Sequence, residues 1–137
     1  MQPAFRELDG LHVTVDQVFY TPDLPSPPEQ PYSFVYFISI RNNSDVTVTI
    51  KGRKWVVTDA LGDVTAVEGD GVVGEFPTIT PGDRFSYNSR HILATPTGEA
   101  EGSFIGLDEN GNRILVRIPR FTLSARTPGP DADPDWA

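Results

Sequence analysis

Apolar residues recur at every second position in short runs along this chain, and no stretch of about eleven residues carries them at the i, i+3, i+4, i+7 spacing of an amphipathic helix. The pattern predicts strands and almost no helix. Leu11 to Tyr20 places Val13 and Val15 on one face and Val18 and Tyr20 on the other, so the alternation slips near Asp16 and Gln17, where a bulge is expected. Tyr32 to Arg41 is apolar in both alternating sets, as suits a central strand covered on both faces.

Further runs follow at Val46 to Ile50 and Trp55 to Thr58, with a turn at Asp59-Ala60-Leu61-Gly62 and a return run at Val64 to Glu68. Beyond a glycine-rich stretch, Gly69 to Gly74, come Thr78 to Thr80 and a Pro81-Gly82 pair suited to a type II turn. Arg84 to Asn88, a turn at Thr95 to Gly98, Glu101 to Leu107, a hairpin turn at Asp108 to Gly111 and Arg113 to Ile118 complete the series. Pro119 interrupts the last run before a short edge segment at Phe121 and Leu123. Many short strands between Gly, Pro, Asn and Asp punctuation predict an all-β sandwich of two antiparallel sheets with essentially no helix.

Two segments fall outside that scheme. Residues 22–31 contain five prolines, which cannot serve a strand ladder and favour an extended polyproline loop. Residues 127–137 alternate proline, aspartate and glycine before Trp136, and are expected to form an acidic, mobile tail. With 137 residues, one sandwich over 1–126 plus this tail is the expected organisation.

Composition removes several functions. The chain has no cysteine, so disulfides, thiolate catalysis and zinc sites that need sulfur are excluded. The net charge is −8, with Asp131, Asp133 and Asp135 in the tail supplying only part of it, so the body is also acidic and a nucleic-acid surface is not expected. No apolar run is long enough for a membrane helix, and Met1 to Gly10 lacks a signal-like stretch, so a cytoplasmic protein is expected.

Gly69-Asp70-Gly71-Val72-Val73-Gly74 has the lettering of a dinucleotide fingerprint, but Glu75-Phe76-Pro77 cannot open the helix that motif requires. A turn whose backbone amides hold an anion survives as a lesser reading, with Arg53 and Lys54 as its cations and with Glu68, Asp70 and Glu75 opposing it. Asp108 to Asn112 resembles a calcium loop only in part, since the twelfth position is Pro119. His12 and His91 are the only histidines and lack an identifiable set of co-ligands. Ser89 and His91 do not make a triad with any acid that the spacing supplies, and no catalytic residue or cofactor is expected.

Four ordered blocks carry a family resemblance: Ile40-Arg41-Asn42 with Gly52-Arg53-Lys54-Trp55; Val67 to Pro77 leading into Pro81-Gly82; Tyr87-Asn88-Ser89 with Thr95 to Gly98 and Gly102; and Asp108 to Gly111 leading to Ile118-Pro119-Arg120-Phe121. Spanning roughly Val13 to Ser124, they resemble the ApaG family. The resemblance implies a fibronectin type III-like sandwich. It also implies links to cobalt resistance and magnesium efflux, and a neighbour that hydrolyses diadenosine tetraphosphate. Eukaryotic relatives carry the domain in an F-box protein and a polymerase-delta-interacting protein, which implies partner binding. Lys54 stands where an aromatic or histidine is usual, and Arg90-His91 where a glycine is common.

These readings converge on a non-catalytic module that binds an as yet unidentified protein through inter-strand loops, including Gly69 to Pro77. The expected contact residues are Arg53, Lys54, Gly69, Gly71, Gly74 and Glu75. Pyrophosphate or dinucleoside polyphosphate binding at the glycine loop is the alternative, and an accessory role in cobalt or magnesium homeostasis a third.

Overall fold

A computed structural model describes residues 5–126, all of them strand, turn or loop. The tail at 127–137 lies outside the described residues. Nine strands run in chain order: β1 (Arg6–Glu7), β2 (Leu11–Tyr20), β3 (Tyr32–Asn42), β4 (Val48–Asp59), β5 (Val64–Asp70), β6 (Thr78–Ile79), β7 (Arg84–Leu93), β8 (Thr97–Asp108) and β9 (Arg113–Ser124). They form two sheets, a wide one ordered β1-β9-β8-β4-β5 with β6 also on β4, and a narrow one ordered β2-β3-β7. All pairings are antiparallel except that of β1 with β9, which runs parallel.

Alternation decides which side chains fill the space between the sheets. Phe34, Tyr36, Ile38 and Ile40 of β3 face Ile50, Trp55, Phe104 and Ile118 of the wide sheet, all buried. Each such side chain contributes about 1.5–3 kcal/mol through the water it no longer touches. Polar side chains are buried as well, Asn42 among them. Asn42 is fully buried, and its Nδ2 donates to the carbonyls of Val46 and Ile79 at 2.8 Å each while its Oδ1 accepts from the amide and hydroxyl of Ser44. With every hydrogen-bonding site satisfied, the amide fastens β3 to β6 at little cost.

The expected bulge in β2 falls between Val15 and Gln17. Asp16, turned outward there, accepts the Ser39 hydroxyl at 2.6 Å. The Asp59 and Asp108 turns share one construction. In each, the carboxylate accepts two amides of its own loop, those of Leu61 and Asp63 or of Asn110 and Asn112, and a glycine with positive φ closes the turn. At Pro81-Gly82 the amide of Asp83 donates to the Thr80 carbonyl and Gly82 has φ +86°, the type II geometry expected.

Several boundaries differ from the sequence reading. β4 runs unbroken from Val48 to Asp59, absorbing its polar middle through a bulge between Ile50 and Gly52. β7 continues to Leu93 and so includes Ser89, Arg90 and His91. β9 passes through Pro119, because Pro119 and Arg120 together oppose the single residue Glu101 at a bulge where the missing N–H is not needed. The proline segment is not an extended polyproline stretch. It folds into two turns, with the Leu24 amide donating to Thr21 and the Gln30 amide to Pro27, and Pro22 and Pro28 supply the fixed φ of the second turn position.

Candidate functional site

The two sheets differ in width, and that difference opens a cleft at one side of the sandwich. On one side β2 packs across β9 and closes the sandwich. On the other, β7 lies above β4, as shown by Trp55 meeting His91 edge-on at 4.5 Å, and β5 is left exposed among the described residues. The result is a cleft of about 370 Å³ between the end strands β5 and β7.

Alternation along four strands chooses its walls: Arg53 from β4, Thr65 and Val67 from β5, Tyr36 from β3, and Ser89 and His91 from β7. The floor is aromatic. Tyr36 stacks on His91 with ring centres 4.7 Å apart, and Trp55 and Phe121 pack around that pair. Burial lowers the His91 pKa to about 4, so the ring is neutral at pH 7. Burial also raises the phenol of Tyr36, against the opposing pull of the Ser89 side chain, Tyr87 and the positive charge of Arg53. Tyr87 is raised too, by burial and then by Tyr36. Among the described residues, Nε2 of His91 has no hydrogen-bond partner, and the Tyr87 hydroxyl has none in good geometry although it lies beside the Tyr36 phenol.

The six residues that sequence reasoning nominated separate into groups. Arg53, Gly69 and Gly71 come together. Arg53 Nη1 donates to the carbonyls of Asp70 at 2.8 Å and Gly71 at 3.1 Å, and its guanidinium lies over the bare α-carbon of Gly69. Lys54, the next residue on the strand, points to the opposite face, where it pairs with Glu68 at 3.8 Å beside a groove containing Glu101, Arg117 and Arg120.

Gly74 and Glu75 belong to a protruding loop. It leaves the sheet where the Gly71 amide donates to Lys51 and returns where the Ile50 amide donates to the Pro77 carbonyl. Between these ties, Val72 and Glu75 exchange two backbone hydrogen bonds around a two-residue turn of Val73 and Gly74. Both turn residues have positive φ, +44° and +82°, and for a β-branched valine that is a strained conformation. The glycines therefore serve turn geometry, and the amides of Gly71, Val72 and Glu75 are engaged by backbone carbonyls.

Tyr36, Ser89, His91, Thr65 and Val67 were not nominated from sequence. Their nearest signal was alternation, since Ser89 and His91 share the inward phase of Phe85 and Tyr87. Among the described residues no three histidine or carboxylate side chains gather as a metal site, and no helix is long and apolar enough to cross a membrane.

The fold and its cleft define an antiparallel β-sandwich with one open side, a class whose members differ mainly in what that side and its loops present. The family model for the ApaG domain matches residues 22–107, and the chain belongs to that family. It is 43% identical to Protein ApaG of Acidithiobacillus ferrooxidans over 79% of this chain and 85% of that protein. To Protein ApaG of Shewanella pealeana it is 44% identical, over 82% and 90%. The crystal structure of an ApaA protein from Bordetella pertussis superposes with a TM-score of 0.77 at 33% identity, covering 94% of this chain and all of that one.

Proposed function

We propose that this protein is a non-catalytic binding module whose partner is another protein, docked on the surface formed by β5, the 71–77 loop and the adjoining cleft. The observation that carries the reading is the distribution of exposed apolar side chains. Of seven large hydrophobic residues exposed among the described residues, five (Leu61, Val64, Val67, Val73 and Phe76) lie between positions 61 and 76. Exposed apolar side chains concentrated in one stretch of the chain are what a docking surface presents.

The strained valine adds support. Val73 holds a conformation that glycine or asparagine would adopt at lower cost, yet it is exposed at a loop tip, as expected where an apolar contact is needed and strain is tolerated for it. Pyrophosphate binding draws less support, because Arg53 and the amides of Gly71, Val72 and Glu75 already bond to carbonyls and Glu68, Asp70 and Glu75 flank the turn. A role in cobalt or magnesium homeostasis rests on the family resemblance alone.

Quantitative affinity capture from the native host tests the proposal, comparing wild type with the exposed double variant Val67→Asp/Phe76→Asp. Specific proteins recovered by wild type and lost by the variant are expected. Identical recovery by both, together with calorimetric binding of diadenosine tetraphosphate, would replace this reading with the nucleotide one.

A further inference from the structure

The two sheets are unequal, and the shorter one ends in a strand whose outer edge is unpaired. The direction of its backbone groups follows from its neighbours. The Ser33 carbonyl accepts the Thr21 amide on the β2 side, while the Asn42 amide donates to Asp83 at the start of β7. In an antiparallel strand both backbone groups of a residue point the same way and alternate along the chain. Even-numbered residues of β3 therefore face β7, and through the register Phe34↔His91, Tyr36↔Ser89 and Ile38↔Tyr87 the odd residues of β7 face back. Ser86, Asn88, Arg90 and Ile92 consequently aim their N–H and C=O groups away from the sheet. Among the described strands β7 pairs with β3 alone, and no backbone hydrogen bond from a turn or loop reaches those four residues. The Arg84 amide is already taken by the Asp83 carboxylate.

We infer that an extended peptide segment, acidic at alternate positions and apolar at the others, adds to the open edge of β7 as a fourth strand and roofs the cleft above β5. This rests on the binding-module reading and specifies how its partner docks. A strand in that position sends every second side chain inward, toward Val57, Thr65 and Val67, which line the cleft. The remaining side chains stand on the outer face next to Arg84 and to Arg90, whose guanidinium keeps its charge while donating to the Pro25 carbonyl at 2.7 Å.

Charge selects the partner. In a protein of net charge −8, β7 carries two arginines and no acid. The inner wall adds Arg53 at the Ser89 end of the cleft. The carboxylates of Asp59 and Asp63 sit at the other end, near Leu93, so inward acidic residues are disfavoured there. The outward groups of β5 belong to Val64, Ala66, Glu68 and Asp70 by the same alternation, because the Gly71 amide and Asp63 carbonyl face β4. Two carboxylates on that edge repel an acidic strand, whereas opposite charges across a strand pair attract. Pairing on β7 also buries both walls of the cleft, while pairing on β5 would extend a sheet with no layer above it.

The test uses the full chain, isotopically labelled, and a blocked heptapeptide of alternating glutamate and valine. Amide exchange followed by NMR is expected to show Ser86, Asn88, Arg90 and Ile92 slowed about tenfold or more by the peptide, a retardation typical of new ladder bonds. A lysine-valine peptide and a fully N-methylated glutamate-valine peptide are expected to leave them unchanged. Arg84→Glu, at an exposed position, is expected to keep the native spectrum and to weaken the acidic peptide about tenfold.

Unchanged exchange at millimolar peptide, or protection confined to Ala66 and Glu68, would overturn the assignment. Protection without peptide that grows with protein concentration would replace the peptide by a second copy of the chain. If the peptide fails while Val67→Asp/Phe76→Asp still loses its captured protein, strand addition alone is wrong; if both fail, the binding-module reading goes with it.

Discussion

The guanidinium of Arg53 occupies the space that a side chain at Gly69 would take, its terminal atoms lying 2.8–2.9 Å from where a Cβ would stand. From there Arg53 donates to Asp70 and Gly71, so the glycine allows a cation to tie β4 to the base of the 71–77 loop. A side chain at 69 displaces only the flexible end of Arg53. At Gly102, by contrast, a Cβ would meet the Lys54 carbonyl of the neighbouring strand at 2.1 Å, and backbone cannot step aside. Gly69→Ala is therefore expected to fold and to lose about 1 kcal/mol, the worth of a partly exposed hydrogen-bonded tie. Gly102→Ala is expected to lose about 3 kcal/mol or more. Urea denaturation of both variants checks the contrast.

Val73 lies in the left-handed region, and in its two-residue turn the residue before Gly74 is best served by asparagine. Val73→Asn is expected to raise stability by about 1 kcal/mol, within the range of strain a non-glycine residue stores in that region. It is also expected to weaken partner capture, since the apolar contact is lost. A variant both more stable and weaker in binding separates a functional valine from an accidental one.

His91 makes the fold sensitive to acid. Its pKa falls from 6.5 to about 4 because burial disfavours the charged ring. Between those values the unfolded chain binds the proton and the folded one does not. Its contribution is therefore complete above pH 6.5 and lost as pH falls through 4, by about 3 kcal/mol in total. His91→Phe keeps a ring between Tyr36 and Trp55 and is expected to flatten the stability profile across that window, as measured by denaturation at pH 7.5, 6 and 4.5.

Among the described residues the Tyr87 hydroxyl is buried without a well-formed hydrogen bond, with the Tyr36 phenol beside it. Removing a buried polar group that lacks a well-formed hydrogen bond relieves a desolvation cost, so Tyr87→Phe is expected to gain about 1 kcal/mol. A loss of stability in thermal denaturation would mean that the hydroxyl is satisfied in solution.

The sandwich was legible because alternation survives wherever a strand has one buried face: the slip at Asp16 announced the β2 bulge, and the doubly apolar Tyr32 to Arg41 announced the centre of the narrow sheet. Polar interruptions misled. Lys51 to Lys54 and Pro119 look like strand breaks, but each coincides with a bulge that lets the strand continue. The two-residue β1 has too little pattern to be seen, as it owes its place to pairing with β9. At the candidate site, Arg53 and the glycine loop were visible as neighbours in a motif. Lys54 was misplaced beside them because adjacent strand residues face opposite ways. Tyr36, Val67 and His91 meet only once three strands distant in sequence are assembled, and one-dimensional periodicity carries no information about that convergence.

The most direct test of the binding-module account places a photoactivatable crosslinking residue at position 67 in the native host, with position 117, exposed on the opposite side of the wide sheet, as control. The account predicts a discrete protein adduct from position 67 and none from 117. The same adducts from both positions, or none from either, would contradict it.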